Sequence, residues 1–306
     1  MPGPHALDAD QPWWIEPFAV VDGGLSTALE LLGQPVGGLL WTAQLLVDDP
    51  DAIVRAHRTF VEAGADIVIS ASYQASVGGF LRIGCSTADA RRVLASTTEL
   101  ARRSGASVVA ASVGPFGATL GDGSEYHGRY AAGWDEVRQF HRGRLEVLAD
   151  SGPDLFAIET IPSRIEAEII VEELVALNST PAWVSFSCAD EAHTCAGDAL
   201  VDAIGAITAP SVVAVGVNCT DPTFVRPLLA QAVVAAGGRP LVVYPNHGRA
   251  WDAQGECWVG DSDGDLAARV PDWHAAGARF IGGCCGIGPE GVRAVARVRS
   301  ALASGA

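Results

Sequence analysis

Residues 212–219 read VVAVGVNC. The run is almost continuous in valine and alanine, with no polar alternation, and it stops on an asparagine and a cysteine. An unbroken β-branched run of this length is the pattern of a strand buried on both faces, as in a parallel sheet. Similar runs recur along the chain: FAVVDGG (18–24), ADIVISAS (65–72), SVVAASVGP (107–115), DLFAIET (154–160), AWVSFSC (182–188), LVVYPNHG (241–248) and RFIGGCCG (279–286). Between them lie amphipathic segments such as DPDAIVRAHRTFVEAGA (49–65) and WDEVRQFHRGRLEVLADSG (134–152), which end in or near glycine as helix C-termini do.

Strand and helix alternating about eight times over roughly 250 residues predicts the α/β class and a single-domain (β/α)8 TIM barrel. An open, doubly wound sheet is the rival. No GxGxxG follows the first run and no linker divides the chain, so the barrel leads, with residues 1–15 as an N-terminal tail and 16–306 as the barrel. Two connections are long: 23–46 after the first strand, and FGATLGDGSEYHGRYAAG (116–133) after the third. The second, rich in glycine and aromatics, is expected to lie over the barrel mouth.

Of the 306 residues, 49% are apolar and 18% charged, a balance that supplies a large core. The net charge of −16, with no basic cluster, argues against nucleic acid or an anionic membrane as partner. The opening segment lacks a charged n-region and an apolar h-region, and no apolar run approaches the ~20 residues of a membrane span. The expected location is the cytoplasm, so the seven cysteines are free thiols or metal ligands before they are disulfides.

Asp22, Ser72, Gln74, Glu159, Cys219, Asn246, Cys284 and Cys285 all fall at or just beyond the C-terminal ends of the predicted strands. That is the face on which barrel enzymes build their sites. Cys219 ends the sixth strand and Cys284 and Cys285 end the eighth, with one strand between them. Three thiolates from two strand ends can fill three corners of a Zn²⁺ tetrahedron and leave the fourth open, the mark of a catalytic site. Gly282, Gly283 and Gly286 would let the backbone bend so that adjacent side chains reach one ion. Three small buried hydrophobes or a redox-active vicinal disulfide are the alternatives. His193 and Cys195 with Cys188 match no common ligand spacing and read as surface residues. His57, His141 and His274 lie in helical patterns and read as exposed or partly buried; His127 and His247 lie in mouth-facing loops.

A three-thiolate zinc site carries a net charge of about −1, which suits it poorly to polarising carbonyls. It can still deprotonate an incoming thiol while leaving it electron-rich, and so activate it as a nucleophile.

The pair GVNC (216–219) and GGCCG (282–286) resembles the zinc motifs of the homocysteine S-methyltransferases. The resemblance continues through VDGGLSTALE, LWTAQLLVDDP, ISASYQASVGGF, SVGPFGATLGDGSEYHGRY, ETIPSRIEAE, LVVYPNHG and AGARFIGGCCGIGP, nearly the whole chain after about residue 16. It is similar to the subgroup that uses S-methylmethionine or S-adenosylmethionine; Thr160 stands where betaine-dependent enzymes carry a tyrosine. The resemblance implies zinc held by Cys219, Cys284 and Cys285, and methionine made from L-homocysteine and a sulfonium donor by single displacement. It also implies that Asp22 and Glu159 hold the amino group of homocysteine, with Gly23, Gly24, Ser72, Gln74, Asn218 and Asn246 completing the substrate site. Read by itself, Asp22 could also cap the helix-like segment that follows it. Tyr126, Tyr130 and Trp134 in the mouth loop are either cation–π partners for the sulfonium or loop packing. The chain departs from the family pattern at His247, where a serine is common. No cobalamin or folate module is expected beside the barrel. The rival functions are a vicinal-dithiol oxidoreductase using Cys284 and Cys285, and a non-catalytic zinc-binding barrel, against which Asp22 and Glu159 speak.

Overall fold

The computed structural model describes residues 15–34, 36–37, 40–177, 180–248, 250–252, 257–259 and 265–305; all but the last residue of the predicted tail lies outside them. Strand β1 (Ala19–Val20) leads through helices α1 (Leu25–Leu31), α2 (Leu45–Asp48) and α3 (Pro50–Ala63) to β2 (Ile67–Ile69). Then come α4 (Val77–Arg82), α5 (Thr87–Arg103), β3 (Val108–Val113), the mouth loop and α6 (Trp134–Asp150). The unit repeats as β4 (Leu155–Ile161), α7 (Arg164–Leu177), β5 (Ala182–Phe186), α8 (Leu200–Ala206), β6 (Val212–Asn218), α9 (Pro222–Ala235) and β7 (Leu241–Tyr244). A small antiparallel hairpin, β8 (Ala250–Asp252) with β9 (Cys257–Val259), precedes α10 (Leu266–Ala275), β10 (Ala278–Ile281) and α11 (Pro289–Ser304).

Eight strands form one parallel sheet in the order β1-β10-β7-β6-β5-β4-β3-β2, and a parallel bridge from Val21 to Ile67 joins its two edges. The predicted barrel is the observed one. The β8–β9 hairpin is an insertion that the run pattern does not announce. β1 and β2 are also shorter than their apolar runs, because side chains take over the ladder at their ends. The Ile69 N–H goes to the Asp22 carboxylate (2.9 Å), and Ser70 turns back so that its carbonyl accepts the Ser72 N–H (2.8 Å).

Side chains alternate along each strand. On β3, β4 and β6 the inward set runs Val108, Ala110, Ser112; Leu155, Ala157, Glu159; and Ala214, Gly216, Asn218. The barrel is therefore apolar below and polar in its last layer. Trp183, Tyr244 and Phe280 fill the space left by the small alanines, with the Trp183 indole donating to the Tyr244 hydroxyl at 2.9 Å.

Helix α3 shows why the outer ring forms. Asp49 caps it by accepting the Ala52 N–H at 3.2 Å, Pro50 occupies its first turn, and Gly64 ends it in the left-handed region at φ 101°. Its buried face carries Ile53, Ala56, His57 and Phe60, all fully buried. Here the sequence reading needs correction: His57 and His141 are both fully buried, because each lies on the apolar stripe of its helix. Phe60 also supports the end of β1, since a Cβ added at Gly23 would stand 2.7 Å from its ring and 2.4 Å from the Ile287 carbonyl oxygen. Truncating Phe60→Ala is expected to cost about 3–5 kcal/mol of stability, checked by urea unfolding.

Candidate metal centre

Strands β6 and β10 flank β7, and β7 ties down both cysteine-bearing ends. The Cys219 N–H donates to the Tyr244 carbonyl at 3.1 Å, and the Cys284 N–H to the Pro245 carbonyl at 2.8 Å. Cys219 itself sits in the left-handed region at φ 47°, a conformation of order 1–3 kcal/mol above the usual ones for a non-glycine residue. That turn swings its side chain toward the other two cysteines. Gly282 acts by close approach: a Cβ there would lie 2.4 Å from the Val21 carbonyl oxygen, so its absence lets the end of β10 lie against β1. Gly286, at φ 80°, closes the turn after the cysteine pair, and a Cβ there would meet the His247 ring at 2.3 Å. The expected role of the glycines is thus partly different: they seat the cysteine turn against its neighbours.

The result brings three sulfurs together. Sγ of Cys219 and Cys285 are 3.7 Å apart, those of Cys284 and Cys285 are 3.9 Å apart, and all three lie within 4.8 Å of one another. Three sulfurs placed tetrahedrally at ~2.3 Å around one ion would stand about 3.8 Å from each other, so the donor set fits a thiolate-preferring metal such as zinc. The three residues are half-buried. Hydrogen bonds to Cys284 and Cys285, then burial, hold the Cys219 thiol well above the usual thiol range. A cation among the sulfurs would reverse that. Cys188, His193 and Cys195 form no such group among the described residues: His193 is exposed and paired to Asp190 at 3.1 Å, while Cys188 is buried.

Two buried carboxylates stand beside the cluster. Asp22 is 3% exposed and accepts the Ile69 N–H, and Glu159 is 6% exposed and accepts the Ser112 hydroxyl. Asp22 does not cap α1, whose N-cap Gly24 has no side-chain bond. Among the described residues neither carboxylate forms an ion pair. Burial pushes both up, Asp22 well above its ordinary value and Glu159 to about 8, with the charge of Glu159 adding at Asp22 and that of Cys284 at Glu159. Ionisation there is unfavourable until a cation arrives.

The other predicted substrate contacts lie near but are differently employed. Gly23 and Gly24 pack against the cysteine turn, with a Cβ at Gly24 only 2.8 Å from the Cys284 carbonyl oxygen. Ser72 is fully buried and donates to the Ser112 carbonyl at 2.8 Å. Gln74 and Asn246 are half-buried, and the Asn246 carboxamide oxygen accepts the Gly248 N–H at 2.9 Å. Asn218 is fully buried. Its oxygen accepts the Thr160 N–H (2.6 Å) and the Ser185 hydroxyl (2.7 Å), and its NH₂ donates to Thr160 Oγ1 (2.7 Å) and points at Cys284 Sγ 4.0 Å away. It holds Thr160, at φ 58°, in place after Glu159. His247 braces the cysteine turn, its N–H donating to the Cys285 carbonyl at 3.1 Å.

The sequence profile of the homocysteine S-methyltransferases matches residues 19–299. The chain is 44% identical to homocysteine S-methyltransferase 4 of Zea mays over 91% of its own length and 88% of the relative's. It is 38% identical to homocysteine S-methyltransferase 1 of Arabidopsis thaliana, covering 91% and 92% of the two chains. The crystal structure of the homocysteine methyltransferase MmuM from Escherichia coli in its metallated form superposes with a TM-score of 0.81 at 37% identity, covering 92% of this chain and 96% of that one. The chain belongs to the homocysteine S-methyltransferase family. It is a methyltransferase acting on homocysteine, and the dithiol oxidoreductase and non-catalytic barrel readings fall away.

This homocysteine S-methyltransferase also uses residues that the sequence reading passed over. Arg144 of α6 is 2% exposed, with Nη2 donating to the carbonyls of Ser72 (2.5 Å) and Tyr73 (2.6 Å) and Nη1 to that of Gly114 (3.0 Å). Burial lowers its pKa to about 10, so it remains a cation, one helix behind the carboxylates. Its signal was an arginine on the apolar stripe Val137, His141, Leu145, Leu148. Glu166 of α7, fully buried, accepts the Phe116 N–H and the Tyr130 hydroxyl, both at 2.6 Å, and pairs with His141 at 3.0 Å. Tyr130 is therefore loop packing, against Phe116 at 5.3 Å, and Trp134 belongs to α6. Arg144→Met would strand three buried carbonyls, and a loss of about 3 kcal/mol or more in urea unfolding is expected.

Proposed function

We propose that Cys219, Cys284 and Cys285 hold Zn²⁺ and that this protein methylates the thiol of L-homocysteine from a sulfonium donor, S-methylmethionine or S-adenosylmethionine, giving methionine. The observation that supports this reading is three converging sulfurs beside two buried carboxylates that form no ion pair among the described residues. When bound, the metal would lower the pKa of the substrate thiol and leave it nucleophilic.

The chain's own residues do the rest. Asp22 and Glu159 supply the negative charge that fixes the homocysteine ammonium, and so orient the thiol toward the cysteines. Ser112 holds Glu159, and the Ile69 N–H holds Asp22. The mouth loop, pinned by Glu166, covers the site and limits water. No acid or base is needed, because a sulfonium leaves as a neutral thioether. The rate then comes from holding thiol and methyl at ~3–3.5 Å in line. Among the described residues no helix is long and apolar enough to cross a membrane, and a reduced compartment such as the cytoplasm would keep the cysteines available.

Methionine formation from homocysteine and each donor in turn tests the reading directly. Metal analysis is expected to give about one Zn²⁺ per chain, and a Cys284→Ala, Cys285→Ala variant to lose it; full retention would remove these ligands from the proposal. Glu159→Gln is expected to keep the metal while homocysteine affinity falls by about 2–5 kcal/mol, measured by calorimetry.

A further inference from the structure

Glu125 lies on the mouth loop in a single 3₁₀ turn, Ser124–Tyr126. It is 9% exposed, and its Oε2 has no hydrogen-bond partner among the described residues. A buried carboxylate without a partner is costly unless a ligand completes it. Burial holds its carboxyl above the ordinary value, against its own backbone N–H, and Asp122 adds to the shift. Among the described residues no basic side chain pairs with it.

Its surroundings tie it to the metal centre. The Tyr126 phenol is raised by burial and then by the charges of Cys219, Cys285, Glu125 and Cys284, so it lies near both Glu125 and the sulfurs, although the residue as a whole is 41% exposed. The Tyr73 phenol is raised by burial and by Glu125, Tyr126, Cys219 and Glu159. Its ring is seated on Gly114, where a Cβ would lie 2.6 Å from it, and its carbonyl is held by Arg144 at 2.6 Å. Both phenols thus lie near Glu125 and Cys219.

The backbone that carries Glu125 is packed against its neighbours. A Cβ at Gly117 would stand 2.5 Å from the Glu125 nitrogen, so the two segments are in contact. Farther along, a Cβ at Gly128 would meet Ala196 at 3.1 Å and Pro162 at 3.2 Å, which places the loop across the ends of β4 and β5. Glu166 fixes its two flanks through Phe116 and Tyr130.

We propose that Glu125 is the anionic wall of the methyl-donor subsite, taking the positive charge of a cationic donor between the rings of Tyr73 and Tyr126. This rests on the sulfonium reading above. Asp22 and Glu159 meet the acceptor's charge on the strand side, and Glu125 meets the donor's on the loop side. A sulfonium between a carboxylate and aromatic faces gains both Coulomb and cation–π attraction.

Glu125→Gln keeps the shape and removes the charge. Its KM for S-methylmethionine or S-adenosylmethionine, whichever the unaltered enzyme uses, is expected to rise ~30-fold or more, with homocysteine affinity and zinc content within about two-fold. Glu125→Asp, which keeps the charge, is expected to recover a substantial part of that loss. An unchanged donor KM in Glu125→Gln overturns the proposal, as does an aspartate variant no better than the glutamine one. Loss of zinc and homocysteine binding in Glu125→Gln would assign it a structural role and also overturn the proposal. If the unaltered enzyme forms no methionine from any sulfonium donor, the broader reading fails and this subsite falls with it.

Discussion

Two backbone hydrogen bonds at the end of strand β7 govern the site. Tyr244 accepts from Cys219 on one side, and Pro245 accepts from Cys284 on the other. Neighbouring parallel strands are spaced at ~4.8 Å, so strands separated by one other lie about 10 Å apart at their backbones. Thiol side chains are too short to close that gap unaided. The left-handed turn at Cys219 and the tight turn at Gly286 supply the difference, and both depend on β7 holding the two ends in register. Everything else at the mouth is arranged around that triangle of sulfurs.

The last interior layer of the barrel is where the fold changes character. Below it the axis is packed by Trp183, Tyr244 and Phe280. At its level, Ser112, Glu159, Ser185 and Asn218 face inward from consecutive strands and bond to one another or to the next strand's backbone. Polar groups buried at this depth are tolerable because nearly all are partnered. The carboxylates stand apart in charge: among the described residues Asp22, Glu159 and, on the loop, Glu125 form no ion pair. In the proposed reading these carboxylates meet positively charged substrates, in a molecule whose net charge is already −16.

Much of this was legible residue by residue. The eight continuous apolar runs marked the strands, and their last residues marked Cys219, Cys284, Cys285, Asp22 and Glu159. His57 and His141 were misplaced because each lies on the stripe that its helix buries against the barrel and its neighbours. His141 and Arg144 sit on the buried stripe of α6 because they have partners there, Glu166 for one and three carbonyls for the other. Gly23 and Gly24 read as room for a substrate, but the room is filled by the Ile287 and Cys284 carbonyls. Tyr130 read as either a cation–π partner or loop packing, and its hydroxyl donates to Glu166.

The sequence by itself determined the fold class, the face on which the site lies and the three cysteines that meet there, because strand length, side-chain period and strand-end position are local properties of the chain. Tertiary structure alone decided which strand-end residues meet a substrate and which brace the site. That choice depends on contacts between segments far apart in sequence, as between Gly24 and Cys284 or Arg144 and Ser72. It also decided the importance of Glu125, a residue whose type is ordinary in a surface loop. A carboxylate becomes a recognition element only when the fold removes its water and offers no partner in exchange, and no pattern in the chain records that.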